Sequence, residues 1–182
     1  MIALMVGSDD DDVLEQAYDL YKNAKSIADL PAELRASILL ASVRLHPEKV
    51  IDDLIELYDK STADVQGDIT SALTGVREAK DGEKIFSHML GPKGIVRPQD
   101  LMRWLAFGLR NRHIRDTVWE YMKKHWGWIE STLQKSKSFD YLPVYAAGVG
   151  STEEWLKEYE DFFGPKKSVK VLKQNISVLR LM

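Results

Sequence analysis

Apolar side chains recur at every third or fourth position along most of this chain, and no convincing stretch alternates apolar and polar residues with period two. This is the tightest constraint on the fold. A period near 3.6 places positions i, i+3, i+4 and i+7 on one face of an α-helix, whereas a half-buried strand needs strict alternation. The first stripe is Val13, Ala17, Leu20, Tyr21 and Ala24. Leu34, Ile38, Ala41 and Leu45 make the second, and Val50, Ile51, Leu54, Ile55 and Tyr58 the third. Ile69, Ala72, Leu73 and Val76 follow, then Ile85, Phe86, Met89 and Leu90. After a loop at Gly91-Pro92-Lys93-Gly94 come Leu101, Trp104, Leu105 and Gly108, then Ile114, Val118, Trp119 and Met122. Asp140 to Gly148 is short and apolar, and the last stripes are Trp155 to Phe163 and Val169 to Leu179.

Punctuation agrees with helices. Asp9 to Asp12 put four carboxylates ahead of the first stripe, where they complement the helix dipole and cap free N–H groups. They lack the glycine and spaced glutamate of a calcium loop. Pro31 and Pro47 suit first turns. Arg97-Pro98-Gln99-Asp100 opens a helix, with Gln99 and Asp100 as caps, and the next begins near His113. Trp126 to Leu133 reads as a separate helix after a break at Gly127. Ser151 is placed to cap the helix that follows, with Glu154 at the capping-box position, and Gly164-Pro165 stops it. The count is about ten helices of roughly 10–17 residues with short connections. The expected fold is all-α, an α-solenoid of antiparallel helix pairs like HEAT or armadillo arrays, although no exact repeat is visible.

At 182 residues and 45% hydrophobic, the chain is long enough for one helical domain over 1–182 with a real core. Its longest apolar run near the start, Met1 to Val6, is too short to span a bilayer and lacks the basic flank of a signal peptide, so no membrane association is expected and a cytoplasmic setting is favoured. The absence of cysteine excludes disulfides and thiolate metal sites. The net charge of -3 conceals an asymmetry: residues 1–64 carry 6 basic and 14 acidic side chains (-8), residues 65–182 carry 19 and 14 (+5). Basic residues are interspersed with acids, unlike the concentrated basic face that nucleic acid requires.

No catalytic constellation is present in the sequence. His46, His88, His113 and His125 include no pair at the i, i+4 spacing that puts two imidazoles on one helix face, and there is no H-E-x-x-H, G-x-S-x-G or Walker loop. Gly148-Val149-Gly150 reads as a turn that needs permissive glycines. The adjacent carboxylates Asp52-Asp53 and Glu153-Glu154 point about 100° apart on a helix and do not converge on one atom. Trp104, Trp119, Trp126, Trp128 and Trp155 all lie in the last 80 residues and read chiefly as core; Trp128 is the candidate anchor for a partner domain.

Several motifs in order carry a resemblance. They are Val96-Arg97-Pro98-Gln99-Asp100, then Val118-Trp119-Glu120-Tyr121-Met122-Lys123-Lys124-His125-Trp126, then Ser151-Thr152-Glu153-Glu154 with Glu158-Tyr159-Glu160-Asp161-Phe162-Phe163, and finally Val171-Leu172-Lys173-Gln174-Asn175-Ile176. This order resembles the C-terminal helical domain of the puromycin-sensitive and endoplasmic-reticulum type zinc aminopeptidases, from about Leu30 to the end.

The resemblance implies a non-catalytic domain, a piece of a larger C-terminal domain, that covers the catalytic cleft and touches the distal part of the peptide. It implies no cofactor in this chain, with zinc expected in the catalytic domain of the parent enzyme. The implied partners are that domain and a peptide substrate. Arg97, at the mouth of its helix, is the candidate contact for a peptide carboxylate, the alternative being an intramolecular bridge to a nearby acid. The alternative is a free-standing α-solenoid scaffold that binds another protein.

Overall fold

A computed structural model describes residues 10–166. Among them the regular structure is helical: ten α-helices and two short 3-10 segments, Ile27–Asp29 and Lys137–Tyr141. The α-helices run from 6 to 14 residues, shorter than the spacing of the stripes predicts. The predicted last helix, Val169 to Leu179, and the apolar run Met1 to Val6 lie outside the described residues. Contacts divide the chain into two compact units, between Ile85 and Phe86.

The first unit contains α1 (Asp11–Asn23), α2 (Ala32–Leu45), α3 (Pro47–Tyr58) and α4 (Ala63–Leu73). Asp10 caps α1: its carboxylate accepts from the N–H groups of Asp12 at 3.1 Å and Val13 at 3.3 Å. Asp10 therefore works as a cap, as its position predicts, with Asp11 and Asp12 in the first turn; Asp9 lies outside the described residues. Val13, Leu14 and Ala17 pack onto Ala41 of α2. Leu20, which belongs to the predicted stripe, is 44% exposed, whereas the buried residues of α1 are Val13, Leu14 and Ala17.

Helix α2 is the hub of this unit and packs against α1, α3 and α4. Enclosure explains why Leu39, Val43 and Ser42 are buried beside Ile38 and Ala41. The predicted stripe members Leu34 and Leu45 are only half-buried. Ser42 sits at a fully buried position because its hydroxyl donates to the Ile38 carbonyl at 2.8 Å; Thr70 does the same to Gln66 on α4. Gln66 Nε2 donates to the Tyr58 carbonyl at 2.9 Å, occupying one of the acceptors left free at the C-terminus of α3. The third and fourth stripes, Val50 to Tyr58 and Ile69 to Val76, are buried as their spacing requires. Burying each such Leu or Ile stabilises the unit by about 2 kcal/mol.

Helix α5 (Ala79–Met89) runs through the division. The second unit continues with α6 (Leu101–Arg110), α7 (Arg115–Lys124), α8 (Trp126–Leu133), α9 (Leu142–Ala147) and α10 (Glu153–Phe163). Before α6 the chain turns: Val96 N–H donates to the Met89 carbonyl, and Gly91 adopts a φ of 107° that favours glycine. Helix α6 starts at Leu101, and Asp100 holds the cap position without a side-chain capping bond because its carboxylate is turned to Arg97. Phe86 meets Trp104 and Tyr121 edge-on at 6.2 and 6.0 Å. Gly108 makes this possible, since a Cβ there would stand 2.5 Å from Phe86 and 2.8 Å from Val118.

Three local expectations need correction. The break before α8 falls at His125, not at Gly127, which lies inside the helix with an open Cβ direction. The cap of α10 is Thr152, which accepts from Trp155 N–H at 3.1 Å; Ser151 is one residue too early. Gly148 and Gly150 do not adopt positive φ. Gly150 is needed for space, because a Cβ there would meet the Trp155 ring at 2.5 Å.

Candidate functional site

Three places bear on function. The first is the turn ahead of α6. Arg97 Nε and Nη2 both donate to Asp100 Oδ2, at 2.9 and 2.8 Å. The guanidinium is 45% exposed and its partner 16%, so Arg97 stands at the surface with one edge already engaged. The second is Trp128, half-buried on α8 between the core residues Trp126 and Ile129.

The other tryptophans of the second unit are packing residues, as their spacing predicts. Trp104, Trp119 and Trp126 are buried, and Trp155 is half-buried. Trp119 lies edge-on to Trp155 at 4.9 Å and to Phe162 at 5.0 Å; Trp126 meets Phe162 and Phe163 at 5.2 and 5.6 Å. Glu158 reaches this cluster from α10. It accepts from the Trp119 indole N–H and from Lys123, and the ammonium, then the indole, hold its carboxyl below the usual range. Tyr159 ties α10 to α9 through its hydroxyl on the Pro143 carbonyl at 2.9 Å.

The third place was not legible in the sequence. A pocket of about 520 Å³ opens in the first unit, between the end of α1, the segment through Ile27, helix α3 and the start of α4. Lys22, Lys25, Lys49 and Lys60 line it, with Tyr18 and Tyr21 as aromatic walls. Its one acidic lining residue is Asp53, which accepts from the Tyr21 hydroxyl at 3.4 Å. Burial, then the charge of Asp53, pushes the Tyr21 phenol well above its ordinary value, so it stays a neutral donor. Asp52, the neighbour of Asp53, instead pairs with Lys84 at 2.6 Å. The two carboxylates diverge, as adjacent positions on a helix must.

Among the described residues no three His, Asp or Glu side chains come together as a metal-holding group, and no helix is long and apolar enough to cross a membrane.

Comparison with known proteins bears on the same point. The family model described as "ERAP1-like C-terminal domain" matches residues 1–180, further upstream than the motifs alone indicate. Among curated proteins, an aminopeptidase N of Lactococcus lactis subsp. lactis is 28% identical over 166 residues, covering 90% of this chain and 19% of that protein. An aminopeptidase N of Lactobacillus helveticus is 28% identical over 171 residues, 92% of this chain and 20% of its own length. One from Lactobacillus delbrueckii subsp. lactis is 29% identical over 170 residues, 91% and 20%. The chain thus spans about a fifth of the length of these relatives.

Proposed function

Because the chain belongs to the family of ERAP1-like C-terminal domains, we propose that it is the non-catalytic helical part of a zinc aminopeptidase and works by enclosing the peptide. The carrying observation is the family match over residues 1–180, joined by relatives named aminopeptidase N of which this chain corresponds to about a fifth. Zinc and the residues that bind it belong, on this reading, to another domain of the parent. This domain covers the catalytic cleft and contacts the part of the peptide distant from its N-terminus. A helical surface suits that task because it offers a long, fixed row of side chains to an extended chain. Arg97 meets a peptide carboxylate by competing with Asp100 for the guanidinium edge. Trp128, half-buried here, is completed by the catalytic domain.

The test has two arms. Alone, with or without zinc, the purified chain is expected to release nothing from an aminoacyl-anilide. Added to the catalytic part of its parent, it is expected to bind and to shift the preferred peptide length. Turnover that survives repurification and tracks the chain overturns the non-catalytic reading. Failure to bind the catalytic part favours the free-standing scaffold instead.

A further inference from the structure

In residues 1–64, acids outnumber bases 14 to 6, yet four of the six bases line one pocket: Lys22, Lys25, Lys49 and Lys60. Of the fourteen acids only Asp53 lines it, and that carboxylate already accepts from Tyr21. Lys22 is tied to Asp19 at 3.1 Å, but Lys25, Lys49 and Lys60 make no ion pair among the described residues. Four cations gathered in an otherwise acidic stretch, three of them without an ion-pair partner among the described residues, make a locally positive site that favours an anionic ligand.

The spacing says what kind of anion. Lys49 stands in the first turn of α3 and Lys60 in the turn two residues past its end, eleven positions apart, a rise of about 16 Å along the backbone. A ligand that meets the two lysines through separate anionic groups is of similar length. An extended peptide advances about 3.3 Å per residue, so about five residues match that length. Between them on α3 lie Asp53, whose carboxylate accepts from Tyr21, and Leu57, 37% exposed, and the rings of Tyr18 and Tyr21 add apolar lining. Cations and apolar side chains in one lining suit a segment that alternates acidic and apolar side chains.

We infer that this pocket docks an acidic peptide segment, through its side-chain carboxylates, on Lys25, Lys49 and Lys60. The choice of a peptide as occupant rests on the enclosing role proposed above. The preference for a negatively charged ligand comes from the pocket's own lysines.

The test is fluorescence anisotropy with the full chain. The probe is a labelled five-residue peptide of alternating glutamate and leucine, blocked at both ends, against its glutamine analogue. The acidic peptide is expected to bind at least tenfold more tightly, and to lose most of that advantage when salt is raised from 50 to 300 mM. The chain's own charge of -3 repels such a ligand, so attraction must be local. The double variant Lys49→Glu/Lys60→Glu changes two exposed side chains and is expected to weaken binding at least tenfold. The control Lys135→Glu/Lys157→Glu makes the same change of net charge elsewhere and is expected to leave it unchanged.

Equal affinity for the two peptides overturns the inference, as does equal loss in the control variant or displacement by millimolar inorganic phosphate. If the peptides fail here while the chain still shifts length preference in its parent, the pocket alone is refuted. If the peptides bind and no parent assembly forms, the enclosing role fails and the site remains.

Discussion

The indole N–H of Trp119 donates to Glu158 Oε1 at 2.7 Å, joining α7 to α10 across 39 positions of sequence. Trp119 is 2% exposed, so its donor has no access to water if the acceptor is removed. Glu158→Leu is expected to lower stability by about 2 kcal/mol, the cost of a buried unsatisfied donor. Glu158→Gln keeps an acceptor and is expected to cost about half as much. Urea unfolding followed by tryptophan fluorescence separates the two; equal losses would mean that the Lys123 ion pair, rather than the indole bond, is what matters.

A second link predicts acid sensitivity. Arg35, 5% exposed, contacts Asp64 at 3.0 Å and Asp68 at 3.1 Å. The Thr62 hydroxyl, then Arg35, holds the Asp64 carboxyl at about 2, below its ordinary 3.8. A lowered carboxyl value stabilises the fold above about pH 4 and loses that contribution as pH falls toward 2. The thermal midpoint, followed by circular dichroism, should drop across this window, and Thr62→Val should flatten the drop. An unchanged slope in Thr62→Val would remove the hydroxyl from the account. Arg35→Met removes the buried cation from Asp68, 24% exposed, and Asp64, 69% exposed, and is expected to lower the thermal midpoint at neutral pH and to flatten the acid drop.

At the alkaline end, burial pushes the Tyr121 phenol up to about 12, and Tyr21 is displaced in the same direction. A raised folded value means that the folded chain keeps protons the unfolded chain has lost. Stability is therefore full below about pH 10 and falls as pH rises toward 12. Absorbance titration at alkaline pH should show some of the seven tyrosines ionising only with unfolding. Complete, reversible ionisation of all seven in the folded chain contradicts this.

Two glycines should respond in opposite directions. A Cβ at Gly94 would stand 2.4 Å from the Met89 carbonyl oxygen and 2.6 Å from a Leu90 backbone carbon, with no flexible side chain to yield. Gly94→Ala is expected to cost about 2 kcal/mol. Gly127 lies within α8 with nothing near its Cβ direction, so Gly127→Ala should gain about 0.5–1 kcal/mol. Thermal unfolding of the two variants checks both signs.

In the parent enzyme, Arg97→Ala is expected to raise KM for long peptides roughly tenfold, the loss of one charged hydrogen bond. Turnover of a short aminoacyl-anilide should not change, because the pair with Asp100 is at the surface and contributes little to folding. An equal effect on both substrates would place Arg97 outside peptide contact.

The helices were legible because burial repeats along them: Val50 to Tyr58 and Ile69 to Val76 are core as their spacing requires. Leu39 and Val43 were not, because a stripe describes one buried face and α2 is covered on several. The cap at Thr152 rather than Ser151 was out of reach, since both types cap equally well and only backbone geometry chooses. The lysine pocket was hidden for a different reason. Lys22, Lys25, Lys49 and Lys60 follow no period in the chain and become neighbours of one cavity only when α1 packs on α2 and α3 follows.

A rod that is greasy around most of its circumference has no reason to face one way rather than another. Helix α2 is such a rod, and turning it would exchange one oily contact for a similar one. Its buried cation, Arg35, meets the carboxylates of Asp64 and Asp68 in the orientation observed, so the pair with α4 acts as a locating pin. Charge chooses the angle, and oil only keeps the rod in place.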